Sequence, residues 1–379
     1  MITAGIVAEF DPLHNGHKLI LQKARTLGAD CVAVVMSGSA VQRGRLAVWD
    51  KYERAQAALR AGADIVLELP APFSCSNAEV FARSAVGIFA ALGEGTVDML
   101  VFGSETDDLE ALKLAAKAAD ELRDSNAVRA LLSQGKSYPA AVAEAASELY
   151  GSRAALAMQS PNSILGIEYC RALTRLMPWC SPTPVLRGPA SDSITSATEI
   201  RSLMQQGKDI SAFVPEVLPD PCDMSRLDRL LLYSLFSAEK EDFLALPDVD
   251  EPLADRFIKA KRSCPGSAEE FIVAVKSKNI THARLRRAVL HLALGVKAED
   301  ITSPSYIRPI AFNSRGASLL SAAKPTLPLS TKLSELAASS PEANRTAAIE
   351  EKATLLRSLG TEDFSHKSDF SAFIKLTET

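Results

Sequence analysis

Short apolar runs alternate with amphipathic stretches through the first half of the chain. The runs are rich in β-branched residues and are bounded by Gly, Pro or Asp, which is typical of buried strands. The stretches between them repeat apolar positions at helical spacing. The pattern predicts strands at 2–8, 30–36, 64–69, 97–102 and 184–186, and helices at 14–26, 50–61, 77–92, 109–122, 140–150, 162–177 and 196–206.

Strands that alternate with helices across short turns predict an α/β fold with a doubly wound parallel sheet. In such a sheet, ligands bind outside the carboxyl ends of the strands. His14, Ser37, Pro70 and Gly103 each follow a predicted strand closely. We therefore expect a functional site at this edge of the sheet.

The pattern changes near the proline-containing segment 215–221, after which helices dominate. Helices are predicted at 227–246, 269–275 and 284–294, with one short strand at 306–312 between the later helices. A chain of 379 residues is long enough for two cores. We predict an α/β domain over 1–214 and a mostly helical domain over 215–379.

Composition narrows the possible partners. The net charge of −4 provides no global field for nucleic acid, so an RNA partner needs a local basic patch and no DNA partner is expected. The six cysteines are spread singly, as in a reducing compartment, and resemble neither a disulfide framework nor a zinc site. The apolar stretch 85–103 contains Glu94 and Asp98 and cannot span a bilayer. We expect a cytoplasmic protein without a membrane partner.

Candidate chemistry begins at His14-Asn15-Gly16-His17, which holds two of the five histidines of the chain. Two histidines three apart at a helix start share one face. Unpaired N–H groups and the positive dipole end there favour an anion, and Gly16 leaves room for a phosphate or an adenine. The motif predicts a site that holds a triphosphate and stabilises charge on its α-phosphoryl group. Two surface histidines that cap a helix are the structural alternative.

Further candidates surround this motif. Arg43, Lys51 and Arg54 follow the second strand and are expected to bring cations to a triphosphate or carboxylate. Gly103 permits a base or ribose to lie against the backbone, or forms a simple turn. Asn162 is an N-cap or a ligand contact. The segment 196–201 begins as a capping box whose hydroxyls and Arg201 also suit phosphate.

Basic residues dominate between 255 and 297, which predicts a surface for a phosphate backbone; a solvated helix face is the alternative. Arg284 and Arg287 are three apart on a predicted helix, so they share a face, and we expect both to contact RNA. The basic residues are Arg256, Lys259, Lys261, Arg262, Lys276, Lys278, Arg284, Arg286, Arg287 and Lys297.

The His14-x-Gly-His17 motif, together with Ser196-x-Thr198-x-Ile200-Arg201, resembles the two signatures of the nucleotidyltransferase superfamily. Other segments, in the same order, resemble the bacterial tRNA(Met) cytidine acetate ligase family over almost the whole chain, to about Asn313. These segments are 5–17, 36–44, 64–70, 101–105, 161–169 and 281–287.

The resemblance implies a Rossmann-like HxGH fold with a helical, tRNA-binding second domain. It implies activation of acetate by ATP to acetyl-adenylate and pyrophosphate, and acetyl transfer to N4 of the wobble cytidine of elongator tRNA(Met) with release of AMP. His14 and His17 would be catalytic, Mg²⁺ would accompany the triphosphate, and no residue is assigned as a metal ligand. The implied ATP contacts are Val7, Ala8, Glu9, Phe10, Asp11, Pro12, Leu13, His14, Asn15, Gly16, His17, Lys18, Leu19, Ile20, Gly103, Asn162 and Arg187, to which the second signature adds Ser196 and Thr198.

The chain departs from the family pattern at three places. Asp11 replaces a common Asn, Ser39-Ala40 replaces Asn-Phe, and 190–192 reads Ala-Ser-Asp where Tyr-His-Asp is frequent. A carboxylate at Asp11 is unfavourable beside a triphosphate, so we expect a metal or Arg43 to offset it. Two other functions stay open: a small-molecule adenylyltransferase of the pantetheine-phosphate or nicotinamide-mononucleotide kind, and an inactive nucleotide-sensing RNA-binding protein.

Overall fold

The computed structural model describes residues 1–123, 125–136, 138–158, 161–186, 194–372, 374 and 377, with the main chain alone for 138, 139, 161 and 162. The strands in this part of the chain are β1 (Thr3–Ala8), β2 (Cys31–Ser37), β3 (Ala40–Val41), β4 (Arg45–Leu46), β5 (Ile65–Leu69), β6 (Met99–Ser104), β7 (Ser181–Leu186) and β8 (Pro309–Phe312).

Six of these described strands form one sheet in the order β7-β6-β1-β2-β5-β8. Neighbouring strands run parallel, except that β8 pairs antiparallel with β5. The small strands β3 and β4 form a separate hairpin. The fold is therefore the expected Rossmann-like sheet, with one antiparallel edge strand supplied by the second half of the chain.

Helices connect the strands and build most of the second half. Side-chain caps fix many of their starts; Asp50, for example, accepts the amide of Tyr52 at 2.8 Å. The helices are α1 (Asn15–Thr26), α2 (Lys51–Arg60), α3 (Ala71–Ser74), α4 (Ala78–Ala91), α5 (Leu109–Leu122), α6 (Asn126–Ser133), α7 (Tyr138–Tyr150), α8 (Ser152–Ala157), α9 (Pro161–Leu176), α10 (Ala197–Gln205), α11 (Asp228–Ser237), α12 (Lys240–Leu244), α13 (Glu251–Lys261), α14 (Ala268–Val275), α15 (His282–Leu294), α16 (Ser314–Ala322), α17 (Leu333–Ala337) and α18 (Pro341–Leu359).

Strand β2 lies within the sheet and is buried along its whole length. Its side chains alternate between two cores, with Val35 on one face and Val34 on the other. Helices α4 and α9 cover the first face, while α1 and α2 cover the second. The carboxyl ends of the strands therefore stay accessible at one edge.

A third core belongs to the helical half and is formed mainly by α11, α13, α14 and α15. The prediction of a single helix over 227–246 is wrong, because extended backbone at Ala238 separates α11 from α12. The strand predicted at 306–312 lies at the edge of the main sheet as β8, not among helices. The division at residue 214 stays a prediction. None of the described helices is long and apolar enough to cross a membrane.

Candidate functional site

The chain turns sharply after β1, and buried arginines hold this turn. Phe10 has a φ of 48°, a left-handed conformation that strains a bulky residue. Arg54 donates to the carbonyl oxygen of Glu9 at 2.6 Å, and Arg201 donates to that of Asp11. These contacts fix the backbone that delivers the histidine motif to α1.

The two histidines form a reciprocal cap at the start of α1. Nδ1 of His14 accepts the N–H of Gly16 at 3.1 Å, and Nδ1 of His17 accepts the N–H of His14 at 3.2 Å. The rings stack with centroids 3.8 Å apart, and the Phe10 ring meets His17 edge-on at 5.0 Å. Because each Nδ1 is an acceptor, the neutral rings carry their protons on Nε2, which makes Nε2 the donor.

The prediction of unpaired amides at the start of α1 is wrong. The N–H of Asn15 donates to the carbonyl of Phe213 at 2.9 Å, and that of His17 to the carbonyl of His14 at 2.8 Å. The N–H of Gly16 is the one already bound to the imidazole. Donors for an anion at this helix start are therefore the imidazole groups rather than the first amides.

The space that Gly16 leaves is filled by the His14 ring. A Cβ at this position would lie 2.9 Å from Cε1 and 3.0 Å from Nδ1 of His14. The absent side chain of Gly16 thus permits the imidazole to cap the helix. Room for a phosphate or an adenine beside this backbone stays a prediction.

A cavity of about 570 Å³ opens beside the histidines, at the carboxyl ends of β1 and β6. Predicted contacts that line it are Val7, Ala8, Glu9, Phe10, Asp11, His14, Gly16, His17, Leu19, Ile20, Gly103 and Ser196. Predicted contacts outside this lining are Pro12, Leu13, Asn15, Lys18 and Thr198. The Asn162 side chain and Arg187, like the departure at 190–192, lie outside the described residues. Their roles stay predictions.

The apolar wall of the cavity was not found from the sequence. Phe81 of α4 and Leu165 and Tyr169 of α9 line it, with Phe102 of β6. The rings of Phe102 and Tyr169 lie 5.4 Å apart. On a helix, such residues are indistinguishable from ordinary core positions, so the sequence carries no separate signal for them.

Glu9 and Arg43 place opposite charges at the cavity. Oε1 of Glu9 accepts the amide of Gln42 at 2.7 Å. Burial, and then the neighbouring Asp11, raises the pKa of the Glu9 carboxyl above its usual value. Arg43 is exposed, as expected for a cation that meets a ligand.

The negative charge of Asp11 is balanced by cations of the protein itself, although not by Arg43 as predicted. Its Oδ1 accepts the amide of Val48 at 2.7 Å. Its Oδ2 lies 3.5 Å from Arg201 and 3.7 Å from Arg45. The carboxylate thus holds the turn after β1 and is compensated without a ligand.

The prediction that Lys51 and Arg54 bring positive charge to a phosphate is wrong. Lys51 is fully buried, with Nζ 2.5 Å from Glu68 and 2.8 Å from Glu350. Arg54 is also fully buried and donates to main-chain carbonyls, including that of Trp49 at 3.0 Å. Neither residue lines the cavity.

Helix α10 carries the second signature. Ser196 accepts the amide of Glu199 at 3.1 Å, which confirms the N-cap half of the predicted capping box, and Ser196 also lines the cavity. Thr198 accepts from Arg201 at 3.1 Å. Arg201, tied to Thr198 and Asp11, is buried and stabilises the site rather than lining it.

The arginines of α15, predicted to hold RNA, are paired with acidic side chains. Arg284 lies 3.3 Å from Asp250, and Arg287 lies 3.4 Å from Asp248. The Arg287 side chain is 12% exposed. Both arginines therefore connect parts of the helical half.

Residues 1–370 match the family model described as HIGH Nucleotidyl Transferase, so the mostly parallel sheet with its cavity beside His14 and His17 belongs to a nucleotidyl transferase. The tRNA(Met) cytidine acetate ligase of Syntrophotalea carbinolica is 36% identical over 89% of this chain and 86% of that protein. The protein of the same name from Listeria monocytogenes is 37% identical over 88% of this chain and 90% of its own. This chain therefore belongs to the tRNA(Met) cytidine acetate ligase family.

Solved structures agree with this membership. The crystal structure of Thermotoga maritima TmcAL bound with alpha-thio ATP superposes with a TM-score of 0.89 at 29% identity, over 100% of both chains. Its apo form I gives a TM-score of 0.89 at 30% identity, over 99% of this chain and 100% of that chain.

Proposed function

We propose that this chain is an ATP-dependent ligase that acetylates N4 of the wobble cytidine of elongator tRNA(Met) through an acetyl-adenylate. The observation that carries the proposal is the family membership over almost the whole chain, at 36% identity to a relative of that name. The histidine-lined cavity supports it, because the ATP-analogue complex has the same fold at a TM-score of 0.89.

In the first step, an acetate oxygen attacks the α-phosphorus of ATP, the bond to the β-phosphate oxygen breaks, and pyrophosphate leaves. Charge accumulates on the phosphoryl oxygens during this transfer. Nε2–H of His14 and of His17 would donate to these oxygens, and Arg43 would add positive charge. The proposed ATP contacts are those predicted from the sequence, together with Arg43.

In the second step, the cytidine N4 attacks the acetyl carbonyl carbon, the bond to the phosphate oxygen breaks, and AMP leaves. The amine loses a proton as the amide forms. The mixed anhydride is already activated, so this half requires chiefly a positioned amine.

Mg²⁺ fits this cavity as an ion held mainly by the triphosphate. Mg²⁺ prefers oxygen ligands and often uses one or two carboxylates beside substrate phosphates. Glu9 and Glu105 line the cavity and would supply them; the ion would screen phosphate charge. Within the described residues, the acidic cluster Glu68, Glu350 and Asp369 lies elsewhere, and the Lys51 ammonium contacts all three carboxylates.

The proposal is tested by incubating the protein with ATP, labelled acetate and bulk tRNA, followed by digestion to nucleosides. Labelled N4-acetylcytidine is the expected product. Transfer of AMP to pantetheine phosphate or nicotinamide mononucleotide would identify a small-molecule adenylyltransferase instead. ATP binding with no turnover of either kind would identify a nucleotide sensor.

Acetate-dependent ATP–pyrophosphate exchange is expected to proceed without tRNA. The described cavity is lined by residues between 6 and 197, all before the start of the predicted second domain at 215, so we expect activation to need no contribution from RNA. Exchange is measured with labelled pyrophosphate, with and without tRNA. A strict requirement for tRNA would mean that RNA binding completes the nucleotide site.

Replacing Gly16 by alanine is expected to slow this exchange by about tenfold or more while changing stability little. The new Cβ displaces the His14 ring. Loss of a cap costs about 0.5–2 kcal/mol, which the better helix propensity of alanine partly offsets, by up to about 1 kcal/mol. Gly87→Ala is the matched control, since the atom nearest to its Cβ is 3.9 Å away. Equal exchange rates in the two variants would exclude a role for the ring position.

A further inference from the structure

Helix α13 and its end present exposed basic side chains that form no ion pair with the part of the chain that the structure describes. Arg256, Lys259 and Arg262 are exposed and spaced by three, so they share one side of the helix and of its end. Among the described residues, none of the three has a carboxylate within 4.0 Å. The exposed acids Glu251 and Asp255 of the same helix are paired with a lysine of α12. The end of α13 is therefore cationic.

Helix α11 presents an aromatic and basic face. Tyr233 is 73% exposed and Phe236 is 38% exposed, an unusual condition for large rings. Arg229 in the first turn of the helix is exposed, and so is Arg226 in the short 3₁₀ turn that leads into it. Asp228 belongs to the opposite side, where it accepts the amide of Ala268 at 3.0 Å. Cationic groups beside an exposed ring are suited to phosphates and unstacked bases.

Two contacts hold α11 beside the end of α13, so the two cationic faces lie on adjoining elements and are taken together as one surface. The bond between Asp228 and Ala268 joins the start of α11 to the start of α14. The ammonium of Lys261 donates to the carbonyl of Ala238, which joins the end of α13 to the end of α11. The turn between α13 and α14 therefore runs alongside α11.

This surface is close enough to the cavity for one RNA molecule to reach both. Helix α15 packs against α11, and its Arg287 contacts the carbonyl of Gln42 at 3.5 Å, beside the cavity-lining Arg43. Two helix diameters, on the order of 20 Å, thus separate the α11 face from the cavity mouth.

We propose that this surface, formed by Arg226, Arg229, Tyr233, Arg256, Lys259 and Arg262, is where the protein grips its tRNA. The arginines and lysine contact phosphates, and the Tyr233 ring stacks on an unpaired base. The inference rests on the proposed function, from which it takes the class of partner. It replaces the paired arginines of α15 as the principal RNA contacts.

A charge-reversal triple, Arg256→Glu, Lys259→Glu and Arg262→Glu, tests the phosphate contacts. Each lost contact lowers the slope of log K against log salt by about 0.7–0.9. We expect tRNA affinity to fall at least 100-fold, a slope smaller by about two, and acetate-dependent exchange at the wild-type rate. The control reverses Lys23, Arg129 and Lys352, which are exposed on α1, α6 and α18. It changes net charge equally and is expected to weaken binding much less.

Tyr233 is tested by a pair of substitutions. Stacking of one base contributes about 1–3 kcal/mol, so Tyr233→Ala should weaken tRNA binding about 5- to 150-fold, whereas Tyr233→Phe keeps a ring and should bind like the wild type. The position is exposed, so neither change should lower the unfolding midpoint appreciably.

The outcomes separate this inference from the proposed function. If the charge-reversal triple and Tyr233→Ala both acetylate tRNA with the wild-type KM, the proposed tRNA surface is wrong and the proposed function is unaffected. If the control triple weakens tRNA binding equally, the effect comes from net charge alone, and the proposed surface is again wrong. Absence of acetylated tRNA with the wild-type protein, despite RNA binding that depends on this surface, would overturn the function alone.

Discussion

Replacement of either His14 or His17 by alanine is expected to lower the rate of acetyl-adenylate formation by about 100-fold or more, the effect typical of removing one preorganised donor to a charged transition state. Each Nδ1 is engaged by a main-chain amide, which assigns the donor role to Nε2. Both residues line the cavity. Loss of the capping contact should cost only about 0.5–2 kcal/mol of stability, so the fold should persist.

Acetate-dependent pyrophosphate exchange measures this rate, and thermal unfolding checks the fold. His14→Asn is a matched control, because asparagine is a strong N-cap but cannot reproduce the imidazole donor. We expect it to restore stability and not activity. If His14→Asn exchanges pyrophosphate like the wild type, the ring serves only to cap α1. Wild-type pyrophosphate release in the alanine variants would remove the histidines from the mechanism.

Local patterns predicted the part of the site that depends on near neighbours in sequence. The buried run over 2–8 became β1, and the histidine motif began α1 at the edge of the sheet, as expected. Capping by the two histidines was the structural alternative, and it is confirmed. The reciprocal bonds and the burial of His14 were not predicted, because capping boxes are usually recognised by Ser or Thr followed by Glu or Gln, not by two histidines. The motif therefore located the site but not the orientation of its rings.

Elements whose environment is set by distant parts of the chain could not be predicted. Helix α18 is long, yet no helix was predicted there. Its buried positions include Thr346, Glu350, Thr354 and Arg357, so its apolar residues do not form a single stripe. Strand β8 is paired with β5 across a large sequence separation. Both strands were predicted from their local sequence, but their pairing with each other leaves no local signal.

The same limit explains the error at Lys51, whose removal has the largest expected effect on stability. Its ammonium lies 2.5 Å from Glu68 and 2.8 Å from Glu350 and also contacts Asp369. All four side chains are buried from solvent. Arg308, which lies 3.1 Å from Glu68, is the second cation of this cluster. The cluster joins α2 to α18 and the C-terminal segment.

Lys51→Met is expected to reduce the free energy of unfolding by about 3–5 kcal/mol, because it leaves buried carboxylates without a cation. Burial already raises the pKa of Glu350, whereas Lys51 and Arg308 hold the pKa of Asp369 low despite its burial. Without Lys51, the folded-state pKa values of both carboxyls rise. The folded variant then binds more protons than its unfolded chain, so its stability falls as pH rises above about 4. The deficit relative to the wild type should be larger at pH 8 than at pH 5.

Urea unfolding at both pH values measures this deficit. Lys332→Met is the surface control, since its ion pair with Glu335 is more than half exposed and should contribute at most about 1 kcal/mol. The double variant Lys51→Met, Glu68→Gln removes one negative charge with the positive one, and Gln keeps an acceptor for Arg308. The double variant should recover part of the lost free energy of unfolding. A double-mutant cycle then gives the interaction between Lys51 and Glu68 apart from the effect of each single substitution. A deficit near that of the surface control, equal at both pH values, would mean that the cluster does not depend on its ammonium.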